Sequence, residues 1–264
     1  MGDGDSPGLV TSRDGTRIAV WIYGAGPPLV LVHGTFVDHT SWGLVVPFLI
    51  ERCTVYAVDR RGREASGDSD RYSVEADAQD VVAVVDSVGS PVSLFGHSLG
   101  GLVALEAALD TDEVERLILY EPSTGGNARP GIIERLEEML RKDDREGLLI
   151  SALREVAGMS GDQIEQLRSL PTWPVQLAAA HTVPRELRAG AGYRFNANRF
   201  ARLDTPTLLL RGEFDPAGWV EGSIAAVGNA LPNARLRTLA GQAHVAQMTA
   251  PSVLADEVLG FMAV

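Results

Sequence analysis

Three residues in this chain have the types needed for nucleophilic attack on a carbonyl: a serine at 98, an aspartate at 215 and a histidine at 244. A serine hydroxyl is a weak nucleophile at neutral pH. It needs a base to take its proton, and the base needs an acid to orient it. Ser98 stands in Gly96-His97-Ser98-Leu99-Gly100-Gly101, between the apolar run 91–95 and the Ala/Leu-rich run 102–109. That order reads as a strand, a sharp turn and a helix, with the serine at the bend of a G-x-S-x-G nucleophile elbow. Gly96 and Gly100 leave out Cβ atoms where strand and helix must close on each other, and the serine backbone is strained in such a turn. The Leu99 amide then faces the helix N-terminus, where partial positive charge favours an oxyanion. The motif alone also fits a glycine-rich turn without chemistry, so the rest of the chain decides.

The elements that must hold these residues follow from the apolar runs. Residues 9–12 and 16–23 flank Arg13-Asp14-Gly15, a hairpin signal. Continuous apolar runs at 29–32, 53–58, 91–95, 116–120 and 207–210 lack alternation, which suits strands buried on both faces of a parallel sheet. Helical stretches at 42–50, 74–88 and 101–109 separate the earlier runs, giving βαβ units. Between 123 and 203 the rhythm changes to helices alone, at 132–145, 148–156, 162–170 and 175–188, the last broken by Pro184. Ile132, Ile133, Leu136, Met139 and Leu140 fall on one helical face. The reading is a helical lid, 123–203, inserted into a core made of 1–122 and 204–264. A helix at 218–230, a strand at 234–239 and a helix at 251–262 complete the core.

In open α/β sheets, ligand groups gather at the carboxyl ends of strands. Four such ends carry reactive residue types: His33-Gly34-Thr35, Ser98, Gly212-Glu213-Phe214-Asp215-Pro216, and Gly241-Gln242-Ala243-His244. Gly34 frees the backbone to turn, so the Thr35 amide can join that of Leu99 as an oxyanion hole. Ser98, Asp215 and His244 come in the chain order Ser, Asp, His, each behind a strand. Three placements in agreement outweigh the elbow alone.

These residues, together with Trp42 and the loop Asp59-Arg60-Arg61-Gly62 to Ser66-Gly67, resemble the α/β-hydrolase superfamily in its lid-bearing group of esterases, lactonases, C–C hydrolases and haloperoxidase-like perhydrolases. The resemblance runs from the first hairpin to the last helix and is weak only across the lid. It implies an α/β-hydrolase fold: a mostly parallel sheet flanked by helices, with a helical lid between two sheet strands. It implies Ser98 as nucleophile, Asp215 as acid, His244 as base, and the Thr35 and Leu99 amides as oxyanion hole. In some relatives the acid comes instead from the strand end where Glu121 stands; Asp215 fits the acid position better. Relatives with aspartate at the elbow are dehalogenases and epoxide hydrolases, and serine at 98 argues against both. Family members commonly carry glycine where this chain has Glu64.

The remaining candidates have ordinary structural explanations beside functional ones. His33 is expected to order its own loop, and His97 to pack behind the nucleophile. Lone His39 and His181 read as surface or hydrogen-bonded. Asp59 reads as an ion-paired anchor for Arg60, Arg61 and Arg63, and Glu213 as a loop-ordering partner. Candidate pocket residues are His33, Phe36, His97 and Glu121, with Trp173, Leu177, His181, Tyr193 and Phe195 from the lid; some of the lid residues should line the mouth, but helix packing is the better explanation of any one of them. The five histidines show no metal-ligand spacing, so no metal and no cofactor is expected.

Composition narrows the partners. A net charge of −12 repels nucleic acid and anionic membranes. The single cysteine, Cys53, lies in an apolar run and reads as an inert core thiol. The acidic N-terminus has no secretory pattern. It fits a loose myristoylation pattern at Gly2 and Ser6, but no basic patch follows, and the segment reads as a frayed tail. No run is long enough to span a membrane, and a cytoplasmic location is expected. The expected activity is cleavage of a small to medium ester, thioester or lactone with an apolar acyl part through an acyl-enzyme on Ser98. C–C hydrolase, perhydrolase or lyase/cyclase chemistry of a biosynthetic pathway remains open on the same machinery. A non-catalytic small-ligand receptor is the rival of another class.

Overall fold

The computed structural model describes residues 6–126 and 130–262; Gly2 of the loose myristoylation pattern lies outside the described residues. Eight strands form one sheet in the order β1-β2-β4-β3-β5-β6-β7-β8. They are β1 (Gly8–Thr11), β2 (Arg17–Gly24), β3 (Pro28–Val32), β4 (Thr54–Asp59), β5 (Val92–His97), β6 (Val114–Tyr120), β7 (Thr207–Gly212) and β8 (Ala234–Leu239). β1 and β2 pair antiparallel across the Asp14-Gly15 turn, and β2 lies antiparallel to β4. All other pairs are parallel.

The apolar runs are buried on both faces because successive side chains point to opposite sides. Val30 and Val32 of β3 enter one core layer, with α2 (Val74–Val88), α3 (Leu99–Ala107) and α10 (Val220–Ala230). Leu29 and Leu31 enter the other, under α1 (Val46–Leu49) and α12 (Pro251–Met262). Cys53 is buried in that second layer, where desolvation pushes its thiol up to about 11. Sequence periodicity overstates the helix at 42–50: a single 3-10 turn, His39–Trp42, ends at Gly43, and α1 is one turn long with Pro47 in its first turn.

Between β6 and β7 lie α4 (Ile132–Arg141), α5 (Arg145–Glu155), α6 (Gly161–Arg168), α7 (Trp173–Ala179), α8 (Val183–Gly192) and α9 (Ala197–Phe200). The first four and the start of α8 share a core of their own, built on Ile132, Leu136, Leu148, Leu149, Ile164 and Val183. The run read as one helix over 132–145 stops at Arg141, and Asp144 caps α5 through the Gly147 amide at 2.9 Å. Pro184 opens α8 rather than breaking a longer helix, since its missing N–H has no partner to lose in a first turn. One short helix, α11 (Ala246–Thr249), follows β8. No helix of the described residues is long and apolar enough to cross a membrane.

Candidate active site

The elbow is built by close approach. A Cβ at Gly96 would lie 2.4 Å from the Gly100 carbonyl oxygen, and one at Gly100 would lie 2.3 Å from that of His33. Any side chain at either position would push strand and helix apart. Ser98 itself takes φ 55° and ψ −123°, a strained conformation for a residue with a side chain. Its amide donates to the Tyr120 carbonyl at 3.0 Å, which ties the bend to β6.

His244, on the loop after β8, lies with Nε2 3.0 Å from Ser98 Oγ. Its Nδ1 lies 2.5 Å from Glu121 Oε2. Glu121 is fully buried at the end of β6, and its other oxygen accepts from the Gly212 amide at 2.7 Å. Its φ of 44° bends the chain so that the carboxylate turns toward His244.

The assignment of Asp215 as acid is therefore corrected. Its Oδ1 accepts from the Gly218 amide at 2.7 Å, and its Oδ2 from Val220 at 2.8 Å and Glu221 at 3.3 Å. Asp215 closes its own turn and caps the start of α10, where backbone donors are free and the helix dipole favours an anion. Glu213 accepts from the Gly241 amide at 2.7 Å and joins the loops after β7 and β8.

The His244 loop is fastened from below. The Tyr120 hydroxyl donates to the Ala243 carbonyl and accepts from the Ala246 amide at 3.1 Å. His97 stacks on Tyr120, with ring centroids 5.1 Å apart, and its Nε2–H donates to the His244 carbonyl at 2.8 Å. Burial, with His244 beside it, holds His97 well below the ordinary histidine range, so it is neutral. Trp219 meets the His244 ring edge-on at 5.2 Å.

The amides of Thr35 and Leu99 donate to no acceptor among the described residues, and both residues line the cavity above Ser98. Two donors at a helix start and a turned loop can hold an oxyanion. His33 does not reach the cavity. Its Nδ1–H donates to the Gly34 carbonyl at 2.8 Å, and its Nε2 accepts from the Arg60 amide at 3.2 Å.

The cavity holds about 400 Å³ and is lined by Ser98, His244, Glu121, Phe36 and His97. Phe36 faces it with φ 72°. Besides His33, five candidate pocket residues are placed elsewhere. Trp173 and Leu177 pack in the insertion's own core. His181 donates to the Ala178 carbonyl at 2.8 Å. Tyr193 turns to Glu106 on α3. Phe195, also expected near the mouth, stacks on Phe200. The wall comes instead from Leu153, Val156, Met159, Leu167, Leu170 and Leu187 of the insertion, and from Phe214, Trp219, Val220, Val245 and Met248. The 3.6-residue pattern places one apolar face on α4; it does not show which partner the apolar residues of α5 and α6 meet.

Glu64 has φ 35°, the region glycine occupies without strain, and its side chain is exposed. Asp59 does not pair with its neighbouring arginines. It accepts from His39 Nδ1 and Trp21 Nε1, each at 2.8 Å. The Asp38, His39 and Asp59 ligand atoms lie within 4.8 Å of one another. Protein N–H and O–H groups already occupy these acceptors, Thr40 among them. The cluster is a satisfied hydrogen-bond network.

Residues 29–257 match the alpha/beta hydrolase family, and the chain belongs to it. A solved alpha/beta hydrolase from Sphaerobacter thermophilus is 32% identical, covers 97% of this chain and 100% of its own, and superposes with a TM-score of 0.86. An uncharacterised protein of Mycobacterium bovis is 41% identical over 120 residues, which span 42% of this chain and 33% of that protein. A soluble epoxide hydrolase of Corynebacterium is 38% identical over 118 residues, 42% of this chain and 40% of that protein. The matched segment thus spans about a third to two-fifths of these curated relatives.

Proposed function

We propose that this chain is a serine hydrolase that cleaves a small to medium ester, thioester or lactone with an apolar acyl part. The observation that carries the reading is the relay Ser98 Oγ, His244 Nε2 at 3.0 Å, and His244 Nδ1 to Glu121 at 2.5 Å. In this reading His244 takes the Ser98 proton as Oγ attacks the carbonyl carbon. Glu121 keeps the Nδ1–H tautomer and stabilises the imidazolium. The Thr35 and Leu99 amides hold the oxyanion. The leaving alcohol, thiol or ring oxygen takes the proton from His244, and an acyl-enzyme remains. His244 then activates water, and the free acid leaves. The apolar wall and the cavity of about 400 Å³ support a medium acyl group. Similarity to an epoxide hydrolase does not extend to the nucleophile expected of that chemistry, since Ser98 occupies the elbow. The helical insertion is the proposed lid, spanning 123–203, and a small molecule is the proposed partner.

A fluorophosphonate probe tests this. The wild type is expected to be labelled and to turn over p-nitrophenyl butyrate, and Ser98→Ala to do neither. Absence of labelling and turnover in the wild type would refute the covalent-serine reading and leave a ligand-binding protein.

A further inference from the structure

The loop after β4 buries three guanidinium groups, those of Arg60, Arg61 and Arg63. They face different ways. Arg61 pairs with Asp80 of α2 at 2.6 Å and with Asp14 of the first hairpin at 3.1 Å. Arg60 is held chiefly by Asp77 of α2, on Nε at 3.0 Å as well as on Nη2 at 2.5 Å. It also meets the Tyr72 hydroxyl at 2.9 Å and Glu186 Oε1 at 3.2 Å. Its Nη1 donates to the Gly34 carbonyl at 3.1 Å. Arg63 pairs with the same Glu186 oxygen. Glu186 belongs to α8 of the insertion, is 1% exposed, and lines the cavity together with Thr35.

The Gly34 carbonyl and the Thr35 amide are two ends of one peptide unit. That unit is planar, so the direction of its C=O sets the direction of its N–H. Arg60 Nη1 and His33 Nδ1–H both grip the oxygen. A cation on the carbonyl also polarises the unit and strengthens its N–H as a donor. We propose that Glu186 is a positioning residue: from the insertion, it holds Arg60 on the Gly34 carbonyl and so aims the Thr35 amide at the oxyanion. Arg63 then depends on one carboxylate of the insertion, and Arg60, which Asp77 also binds through Nε and Nη2, takes its second counter-charge from it; loss of Glu186 leaves Arg63 uncompensated and frees the cavity end of Arg60 to shift. Burial pushes the Glu186 carboxyl up, but Arg63 and Arg60, with the Thr35 side chain, outweigh it and keep it ionised. The insertion thus completes the oxyanion hole as well as walling the cavity.

The inference rests on the serine-hydrolase reading, and its test separates the two. The full chain is assayed for kcat and KM on p-nitrophenyl butyrate and for the second-order rate of fluorophosphonate labelling. Glu186→Gln is expected to lower kcat and the labelling rate together by about tenfold or more, with KM within about twofold. Glu186→Asp is expected to recover part of the loss. Asp80→Asn removes an equally buried partner of the same loop that does not reach Gly34. It is expected to lower the thermal midpoint while kcat stays within about twofold. Unchanged kcat in Glu186→Gln, a rise in KM alone, or an equal kcat loss in Asp80→Asn would each overturn the proposal. If Glu186→Gln does not fold, Arg60→Lys carries the test, because an ammonium cannot hold Glu186 and the Gly34 carbonyl with one fork. It is expected to show the same kcat loss, and unchanged kcat would again overturn the proposal. A wild type that is neither labelled nor active defeats the hydrolase reading itself and this inference with it.

Discussion

Glu121→Gln is a near-isosteric change with a large expected effect. Both Glu121 oxygens accept hydrogen bonds, one from the Gly212 amide at 2.7 Å and one from His244 at 2.5 Å. A carboxamide has one acceptor end and one donor end. With its oxygen kept on Gly212, its NH2 faces His244 Nδ1, which must then be unprotonated. The ring proton moves to Nε2, the atom that faces Ser98 Oγ at 3.0 Å, and the imidazole can no longer take the serine proton. Wrong-tautomer variants of comparable relays lose about 10⁴ in kcat. At about 1.36 kcal/mol per decade, that is about 5.4 kcal/mol of transition-state stabilisation. Asp215→Asn serves as the contrast. It keeps an acceptor in the turn before α10 and costs about 1 kcal/mol of stability, with kcat within about tenfold of wild type. Steady-state hydrolysis of p-nitrophenyl butyrate, with circular dichroism to confirm folding, measures both. Near-full activity in Glu121→Gln with a four-decade loss in Asp215→Asn would refute the reasoning.

Tyr120→Phe removes the hydroxyl that joins Ala243 and Ala246 below His244; we expect a loss of about 1–3 kcal/mol in chemical denaturation and a lower kcat. Gly100→Ala drives a Cβ to 2.3 Å from the His33 carbonyl oxygen, so fluorophosphonate labelling of Ser98 should fall by at least about tenfold if the protein folds. His33 and His97 are both held neutral, chiefly by burial. Their folded values lie below the unfolded one, so the unfolded chain binds more protons. The stability they contribute is complete above about pH 6.5 and is lost as pH falls toward their folded values. The free energy of unfolding should fall between pH 7.5 and 5.5, its slope approaching about 2.7 kcal/mol per pH unit from these two groups below about pH 6.5; a flat profile would contradict neutral burial. Met159→Trp or Leu167→Trp narrows the wall contributed by the insertion. Hydrolysis of octanoate esters should fall relative to acetate esters, read as the ratio of kcat/KM values.

The sheet and the elbow were legible because their causes are local. Apolar runs without alternation report burial on both faces, and Gly96 and Gly100 report a contact too close for a side chain. Which carboxylate meets His244 was less legible. Tyr120 of β6 and Leu210 of β7 are register partners, so the loops that carry Glu121 and Asp215 leave the sheet from neighbouring strands. Either loop can approach His244. What separates them is local hydrogen bonding: the Gly218, Val220 and Glu221 amides capture Asp215. The signals available were the strand-end position of Glu121, from which some relatives draw the acid, and an aspartate at 215 shortly before a helix start, which reads as a cap as readily as a catalytic acid. The insertion is hard to read for another reason. Trp173, Leu177 and Tyr193 are candidates for the pocket mouth for which helix packing is the better explanation, and they do pack. The helices first satisfy one another and α3, and smaller aliphatic groups such as Leu153, Val156 and Leu187 face the cavity.

The engagement of Asp215 as a cap has a consequence for diversification. Phe214, Asp215, Pro216 and Ala217 form part of the cavity wall, yet the carboxylate at His244 comes from another strand. In folds where one loop both shapes the wall and carries the acid, each change to the wall risks the relay. In the proposed relay the two duties are divided between neighbouring strand ends. The loop after β7 can be lengthened, shortened or given new side chains while Glu121 keeps its place under His244. A library confined to 214–217, screened over a panel of esters, would therefore explore selectivity with less loss of catalytic rate than one directed at 121–124.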